Sequence, residues 1–191
     1  MAETLMVGMG EVKITRSAGG VLIALGLGSC IGVCAYDPQA RVAGMAHVVL
    51  PDSAGNTEVP GKFADTAIPF LVEAMRREGA SVTRIRVALA GGAQLFRHQG
   101  TGARLDVGPR NAEAVQAALE RLNIYPVAMD VGGSAGRTVH LYHDGVVRVK
   151  TIGQPERDLA ALGDPERAYG GNTFRTNPAQ GTAVVPLRKA A

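Results

Sequence analysis

The chain has 191 residues, enough for one domain with a short appendage, since domains usually run to about 100–200 residues. Hydrophobic residues at 46% and charged residues at 19% exclude an intrinsically disordered chain, and 4% aromatics with no Trp call for a core of Val, Leu, Ile, Ala and Met. The net charge of +3 and the lack of interleaved aromatic and basic residues argue against a nucleic-acid partner.

Alternation over residues 5–14 reads as an opening strand, and Gly19-Gly20 marks a turn. Residues 21–28 form a short apolar run of the buried-strand type that ends in a glycine-rich bend. Residues 31–36 and 41–50 are two strand-like runs around Asp37-Pro38-Gln39-Ala40. Asp then Pro opens a type I turn, so the pair reads as a hairpin. Residues 51–61 carry the Asp, Ser, Gly, Asn and Pro of a loop.

Helical spacing of Phe63, Ala67, Phe70, Leu71, Ala74 and Met75 predicts a helix over 62–78, with Pro69 either kinking it or beginning its well-formed part. Residues 84–90 read as a strand before Gly91-Gly92. Asn111 is placed as the cap of a helix that carries Val115, Ala118, Leu119 and Leu122 on one face. Residues 125–130 read as a strand, followed by the glycine-rich loop 132–136. Strands over 138–142 and Val146–Thr151 flank Asp144-Gly145, a strong hairpin signal.

Strands outnumber helices, and hairpins mix with helices. The fold class is therefore an α/β (α+β) sandwich of mixed sheet and helices, without a regular βαβ repeat. The domain is expected over residues 1–151. From 152 to 191 periodicity is lost and Pro155, Pro165, Pro178 and Pro186 appear. That stretch reads as a flexible tail, with a partner-binding peptide as the alternative.

The two cysteines, Cys30 and Cys34, do not make a disulfide framework. Four apart on one strand they would sit about 13 Å from each other, too far to bridge, and a reducing cytoplasm fits them better than a secreted setting. Residues 17–36 carry no charge, and Leu27-Gly28-Ser29-Cys30 has the look of a lipoprotein cleavage box. Five glycines interrupt that stretch, Glu3 and Glu11 lie in the would-be basic leader, and cleavage would remove a core strand. Membrane insertion and export are the weaker reading.

Cys30 and His47 are the pair with chemical content. If Tyr36 faces Arg41 across a regular hairpin, counting outward puts Cys30 directly opposite His47, with Cβ atoms about 5 Å apart. Imidazole can then take the thiol proton, and the thiolate is the nucleophile. Gly28 and Ser29 let a substrate carbonyl approach backbone N–H groups able to hold an oxyanion. A structural thiol and a structural histidine remain the alternative. Cys34 reads as core. Gly26-Leu27-Gly28 before Gly32 is not a dinucleotide loop, because Asp37-Pro38 comes too soon for the crossover helix. Cys30, Cys34 and His47 are too few and too dispersed for a metal site. His98, in a glycine-flanked loop, reads as solvated.

Leu25-Gly26-Leu27-Gly28-Ser29-Cys30 and Met45-Ala46-His47-Val48-Val49-Leu50-Pro51-Asp52-Ser53 resemble the chemoreceptor glutamine deamidase family, CheD. Phe63-Ala64-Asp65-Thr66-Ala67-Ile68-Pro69, Gly91-Gly92-Ala93, Gly108-Pro109-Arg110-Asn111 and residues 130–137 extend the likeness over about residues 4–151. The resemblance implies a sandwich distantly similar to the deamidase domain of cytotoxic necrotizing factor. It implies hydrolysis of selected glutamines on methyl-accepting chemotaxis receptors, with Cys30 as nucleophile, His47 as general base and no cofactor. It also implies a second partner, the chemotaxis phosphatase CheC.

One position departs from the family. The threonine six residues before the nucleophile is here Ala24. Counted along one strand, residues 24, 26, 28 and 30 share a face, so Ala24 stands where the imidazole should be oriented. A backbone carbonyl or Ser53 would have to replace the hydroxyl. Two readings stay open: a working deamidase, or a deamidase fold kept for its contact with CheC.

Overall fold

A computed structural model describes residues 3–94 and 106–164 of the chain. The opening alternation is two strands and not one. β1 (Thr4–Met6) and β2 (Val12–Thr15) lie in different sheets, and residues 7–11 carry the chain across. Gly8 and Gly10 explain the break: the Gly8 N–H donates to the Glu11 carboxylate at 2.8 Å, and Gly10 turns at φ 77°.

The chain continues through β3 (Val21–Leu27), β4 (Ile31–Asp37), β5 (Val42–Val48), α1 (Ala64–Arg77), β6 (Arg86–Gly91) and α2 (Val107–Glu120). It closes with β7 (Pro126–Val131), β8 (Arg137–Tyr142), β9 (Val146–Thr151) and β10 (Arg157–Ala161). One sheet has the order β1-β3-β8-β9-β10 and the other β2-β5-β4-β6-β7. Each is mixed, with one parallel pair, β1 with β3 and β6 with β7. The expected mixed α+β sandwich is the fold found. Pro69 lies inside α1.

Three layers result. Leu22, Ala24, Leu27, Val139, Leu141, Val147 and Val149 of the first sheet meet Cys34, Ala43, Met45, Ala88 and Ala90 of the second, with Cys30 of the linking bend in the same cluster. The other face of the second sheet, with Val33, Ala46 and Leu89, packs on Ile68, Leu71 and Met75 of α1 and Val115 and Leu119 of α2. β4 and β5 are therefore covered on both faces, and every residue in them is buried. Their near-continuous apolar sequence is what a doubly covered strand requires.

The β4–β5 hairpin turns one residue later than its sequence suggests. Asp37 pairs with Val42, so the loop is 38–41 and every cross-strand partner slides by two. The reason is Asp37, whose buried Oδ1 accepts the N–H groups of Gln39 at 2.9 Å and Ala40 at 3.1 Å while Arg84 bonds the same carboxylate. Asp37 is thereby the last strand residue, and Arg41 at φ 53° reverses the chain.

The fold also runs past residue 151. β10 pairs antiparallel with β9 through a bulge between Asp158 and Ala160, and Leu162 behind it is fully buried. Arg86 Nη1 donates to the Leu162 carbonyl at 3.0 Å. A bulged, half-exposed edge strand shows no clean period of two, which is why the sequence there reads as tail. Residues 165–191, and His98 with the loop around it, lie outside the described residues.

Candidate active site

Cys30 sits in the bend 28–30, where the chain leaves the first sheet and enters the second. Three consecutive carbonyls of that bend are held by the scaffold. Gly28 accepts from the Ala93 N–H at 2.7 Å, Ser29 from Asn111 Nδ2 at 2.9 Å, and Cys30 from the Gly92 N–H at 2.8 Å. The two ends of a trans peptide point in opposite directions. Committing the Gly28 and Ser29 carbonyls therefore turns the N–H groups of Ser29 and Cys30 the other way. The Cys30 N–H faces its own sulphur, which partly offsets the larger effect of burial, and the thiol pKa is raised on balance. Gly91 makes this approach possible: it lies at φ 119°, and a Cβ there would be 2.1 Å from the Cys30 oxygen.

His47 is 3% exposed near the end of β5. Residues 7–11 wrap its backbone, with the His47 N–H donating to the Glu11 carbonyl at 3.0 Å and its carbonyl accepting from Gly10 at 2.9 Å. The same crossing segment brings the Val7 carbonyl to within 3.1 Å of Nδ1. A carbonyl oxygen only accepts, so Nδ1 carries the hydrogen and Nε2 keeps the lone pair. Nε2 is buried and has no hydrogen-bond partner among the described residues. Burial lowers the imidazole pKa, against the smaller opposing pull of the Val7 bond and the Glu11 charge. Both groups are thus pushed toward their neutral forms, a protonated thiol and an unprotonated ring nitrogen.

The shifted register corrects the direct pairing of Cys30 with His47. Gly32 is the residue opposite His47, and Cys30 lies just before the first rung, Ile31 with Val48. A slip of two keeps side chains on their face, because the strand period is two. Cys30 therefore still shares the inter-sheet face with Cys34, Ala43 and Met45, to which His47 belongs by alternation. It stands a diagonal step away, about 7–8 Å in a regular ladder.

Residues 24, 26, 28 and 30 do not form one face. The pairing of β3 with β8 is irregular between Ala24 and Leu27, Gly26 turns at φ 64°, and Leu25 swings out to solvent. Ala24 is fully buried opposite Val139 in the first sheet. Ser53 is committed elsewhere: its Oγ donates to Asp65 Oδ2 at 2.7 Å and its N–H to Oδ1 at 3.0 Å. Cys34 is fully buried, and burial pushes its thiol far up. Both cysteines are free.

Asn111 does not cap α2. It lies in the second turn, fully buried, and its Nδ2 donates to the Ser29 carbonyl and, at 2.8 Å, to that of Val49. The signal for this was in the sequence: Asn111 falls on the same helical stripe as Val115 and Ala118, and a polar side chain on a buried stripe must find partners. The Val7 carbonyl left no such signal, since a backbone group has no sequence signature. Among the described residues no cluster of three or more His, Cys, Asp or Glu is arranged to hold a metal ion.

The family described as CheD chemotactic sensory transduction matches residues 49–151. A Symbiobacterium thermophilum protein named probable chemoreceptor glutamine deamidase CheD is 46% identical over 157 residues, covering 80% of this chain and 95% of its own. The chemoreceptor glutamine deamidase CheD of Thermotoga maritima is 42% identical over 153 residues, 80% of this chain and 94% of its own. Among solved structures, the Bacillus licheniformis hypothetical protein YfiH aligns with a TM-score of 0.42 and 15% identity over 63% of this chain and 49% of its own. With a matching family model and nearly half its aligned residues shared with such relatives, the chain belongs to the CheD family.

Proposed function

We propose that this chain is a protein-glutamine glutaminase that deamidates glutamines of methyl-accepting chemotaxis receptors, using Cys30 as nucleophile and His47 as general base. Its relatives are named for that activity. The observation that carries the reading is the imidazole: Nδ1 is tied to Val7, and a bare, buried Nε2 is left on the sheet face that Cys30 shares.

The steps follow from that protonation state. A buried thiol and a neutral imidazole rest uncharged, so the proton moves when substrate arrives. Nε2 takes the thiol proton as Sγ attacks the carboxamide carbon, and the N–H groups of Ser29 and Cys30 receive the oxyanion. The imidazolium gives its proton to the departing nitrogen, the C–N bond breaks, and ammonia leaves a thioester. Water then adds with Nε2 as base, and collapse of that second adduct returns the proton to sulphur and frees glutamate. The scheme uses no metal or organic cofactor. Each turnover replaces a neutral amide by a carboxylate, which changes like-charge repulsion along a helical receptor and supplies a group that can be methylated.

The second reading is a catalytically weak module that binds and regulates the phosphatase CheC. Ala24, with no hydroxyl at the family's threonine position, favours it. The Val7 carbonyl supports the enzyme, because it already fixes the ring tautomer. We assign either form to the cytoplasm because two free cysteines suit a reducing setting. Among the described residues no helix is long and apolar enough to cross a membrane. The test is peptide mass spectrometry of receptor cytoplasmic domains incubated with the wild type and with Cys30→Ala. Glutamine-to-glutamate conversion by the wild type alone is expected. No conversion by a folded wild type that still binds CheC moves the function to the second reading.

A further inference from the structure

The ladder between β4 and β5 ends at Ile31 and Val48, where the two strands part. Beyond that rung the carbonyl of Ser29, the residue before the nucleophile, and the carbonyl of Val49, two residues past His47, point at one side-chain amide. Asn111 Nδ2 donates one hydrogen to each, at 2.9 Å and 2.8 Å. A helix side chain thus supplies the next link between β4 and β5, whose own ladder has ended. It does so at a cost: Asn111 is fully buried, and its Oδ1 has no hydrogen-bond partner among the described residues. A buried acceptor left unpaired is tolerated where the donors beside it are needed.

We propose that Asn111 is a positioning residue of the deamidation. Resting on the reading of Cys30 and His47 as the reacting pair, it sets the peptide between Ser29 and Cys30. With the Ser29 carbonyl fixed to Nδ2, that peptide cannot rotate, and the Cys30 N–H stays on the sulphur side, where an oxyanion would form. With the Val49 carbonyl fixed to the same nitrogen, the strand that carries the base cannot separate from the bend that carries the nucleophile. Losing the clamp frees the peptide and removes an aligned oxyanion donor, while the thiol and the imidazole remain.

The test separates alignment from simple support of the fold. Asn111→Leu removes both donors at nearly constant shape and adds no charge, and Asn111→Ser keeps a single donor on a shorter side chain. For each variant three quantities are compared with wild type: the thermal midpoint, the rate of Cys30 alkylation by iodoacetamide across pH, and kcat and KM for receptor deamidation. Alkylation needs the thiolate but no oxyanion hole. The expected result is a kcat lower by about 10²–10³ in Asn111→Leu, as for loss of one oxyanion donor, with an intermediate value for Asn111→Ser. KM and the alkylation profile stay near wild type. An unchanged kcat in a folded variant overturns the proposal. So does a fall in alkylation equal to the fall in kcat, or a failure of both variants to fold, since each makes the amide a structural support. A folded wild type that does not deamidate removes the underlying reading instead, and that outcome is read before any variant is made.

Discussion

Nδ1 of His47 lies 3.1 Å from the carbonyl oxygen of Val7, 40 residues earlier in the chain. That contact fixes the tautomer without any third side chain, and it exists because residues 7–11 cross from one sheet to the other over the end of β5. Asn and Gln substitutions dissect it. An Asn amide reaches the Nδ1 position and a Gln amide the Nε2 position. Both His47→Asn and His47→Gln should lose deamidation by about 10²–10⁴, the usual share of a general base. Only His47→Asn keeps the bond to Val7. It should melt above His47→Gln, by a difference of about 0.5–1.5 kcal/mol. Equal activity in either variant would remove His47 from the chemistry.

The lowered pKa of His47 has a consequence for stability as well as for rate. Its ordinary value is 6.5, and burial is the main cause of its fall in the folded chain. Below about pH 6.5 the unfolded imidazole takes up a proton that the folded one refuses. The stability tied to this group is complete above that pH and is lost as pH falls toward the folded value. The neutral imidazole likewise persists into mildly acidic solution, so with His47 as the proposed base the acid limb of kcat/KM should lie below 6.5. The thiol moves the other way: burial raises it from 9.0, so Cys30 alkylation should rise only in alkaline solution. An alkylation limb near pH 6 would mean a resting thiolate–imidazolium pair and would contradict the neutral resting state.

Ala24 stands where the resemblance to the family implies a threonine, and Ala24→Thr tests whether that hydroxyl matters. The side chain at 24 is fully buried between the sheets, opposite Val139. With Nδ1 already bonded to Val7, an added hydroxyl has no tautomer left to fix. The variant should leave kcat unchanged and cost about 1–3 kcal/mol for the extra volume and the buried hydroxyl. A rise in kcat would show that the Val7 carbonyl is a poor substitute and that the missing hydroxyl limits the rate.

Much of this was legible beforehand, and the failures have particular causes. The β4–β5 hairpin and the shared face of Cys30 and His47 follow from alternation, which survives a two-residue slip unharmed. The direct pairing did not survive, because the buried carboxylate of Asp37 moved the turn by one residue. The face carried back to Ala24 failed at Gly26, whose positive φ lets the chain change sheets. Asn111 looked like a cap because caps and buried amide clamps use the same residue type, and only burial tells them apart.

Gly91 sets how closely β6 can approach Cys30. Its φ of 119° and the 2.1 Å that a Cβ would leave to the Cys30 oxygen mean that Gly91→Ala cannot be accommodated in place. The Cys30 carbonyl must then leave the Gly92 N–H, now at 2.8 Å, and the bend loses one of its three anchors. We expect a thermal midpoint lower by several degrees, about 1–3 kcal/mol in strain, and a larger fractional loss of kcat than of Cys30 alkylation. Wild-type activity would show that the bend tolerates displacement and that its three anchors are redundant.

Ending the chain after Thr151 should destabilise the sandwich, although the sequence beyond that point has no periodic pattern. The cut removes β10, leaving β9 as an uncovered edge, and it removes Leu162, which is fully buried among Tyr36, Val147 and Val149 in the inter-sheet core. It also takes Arg157 from Asp130, a buried carboxylate that Arg157 bonds at 2.5 Å and Arg137 at 3.0 Å. Asp130 would keep one of its two arginines, so its charge stays paired and the core term dominates. Leu162→Ala in the full chain isolates that term at about 2–5 kcal/mol. The shortened chain should lose at least as much, a drop of about 5–15 °C in thermal midpoint. Two equal midpoints, full-length and shortened, would return the domain boundary to residue 151.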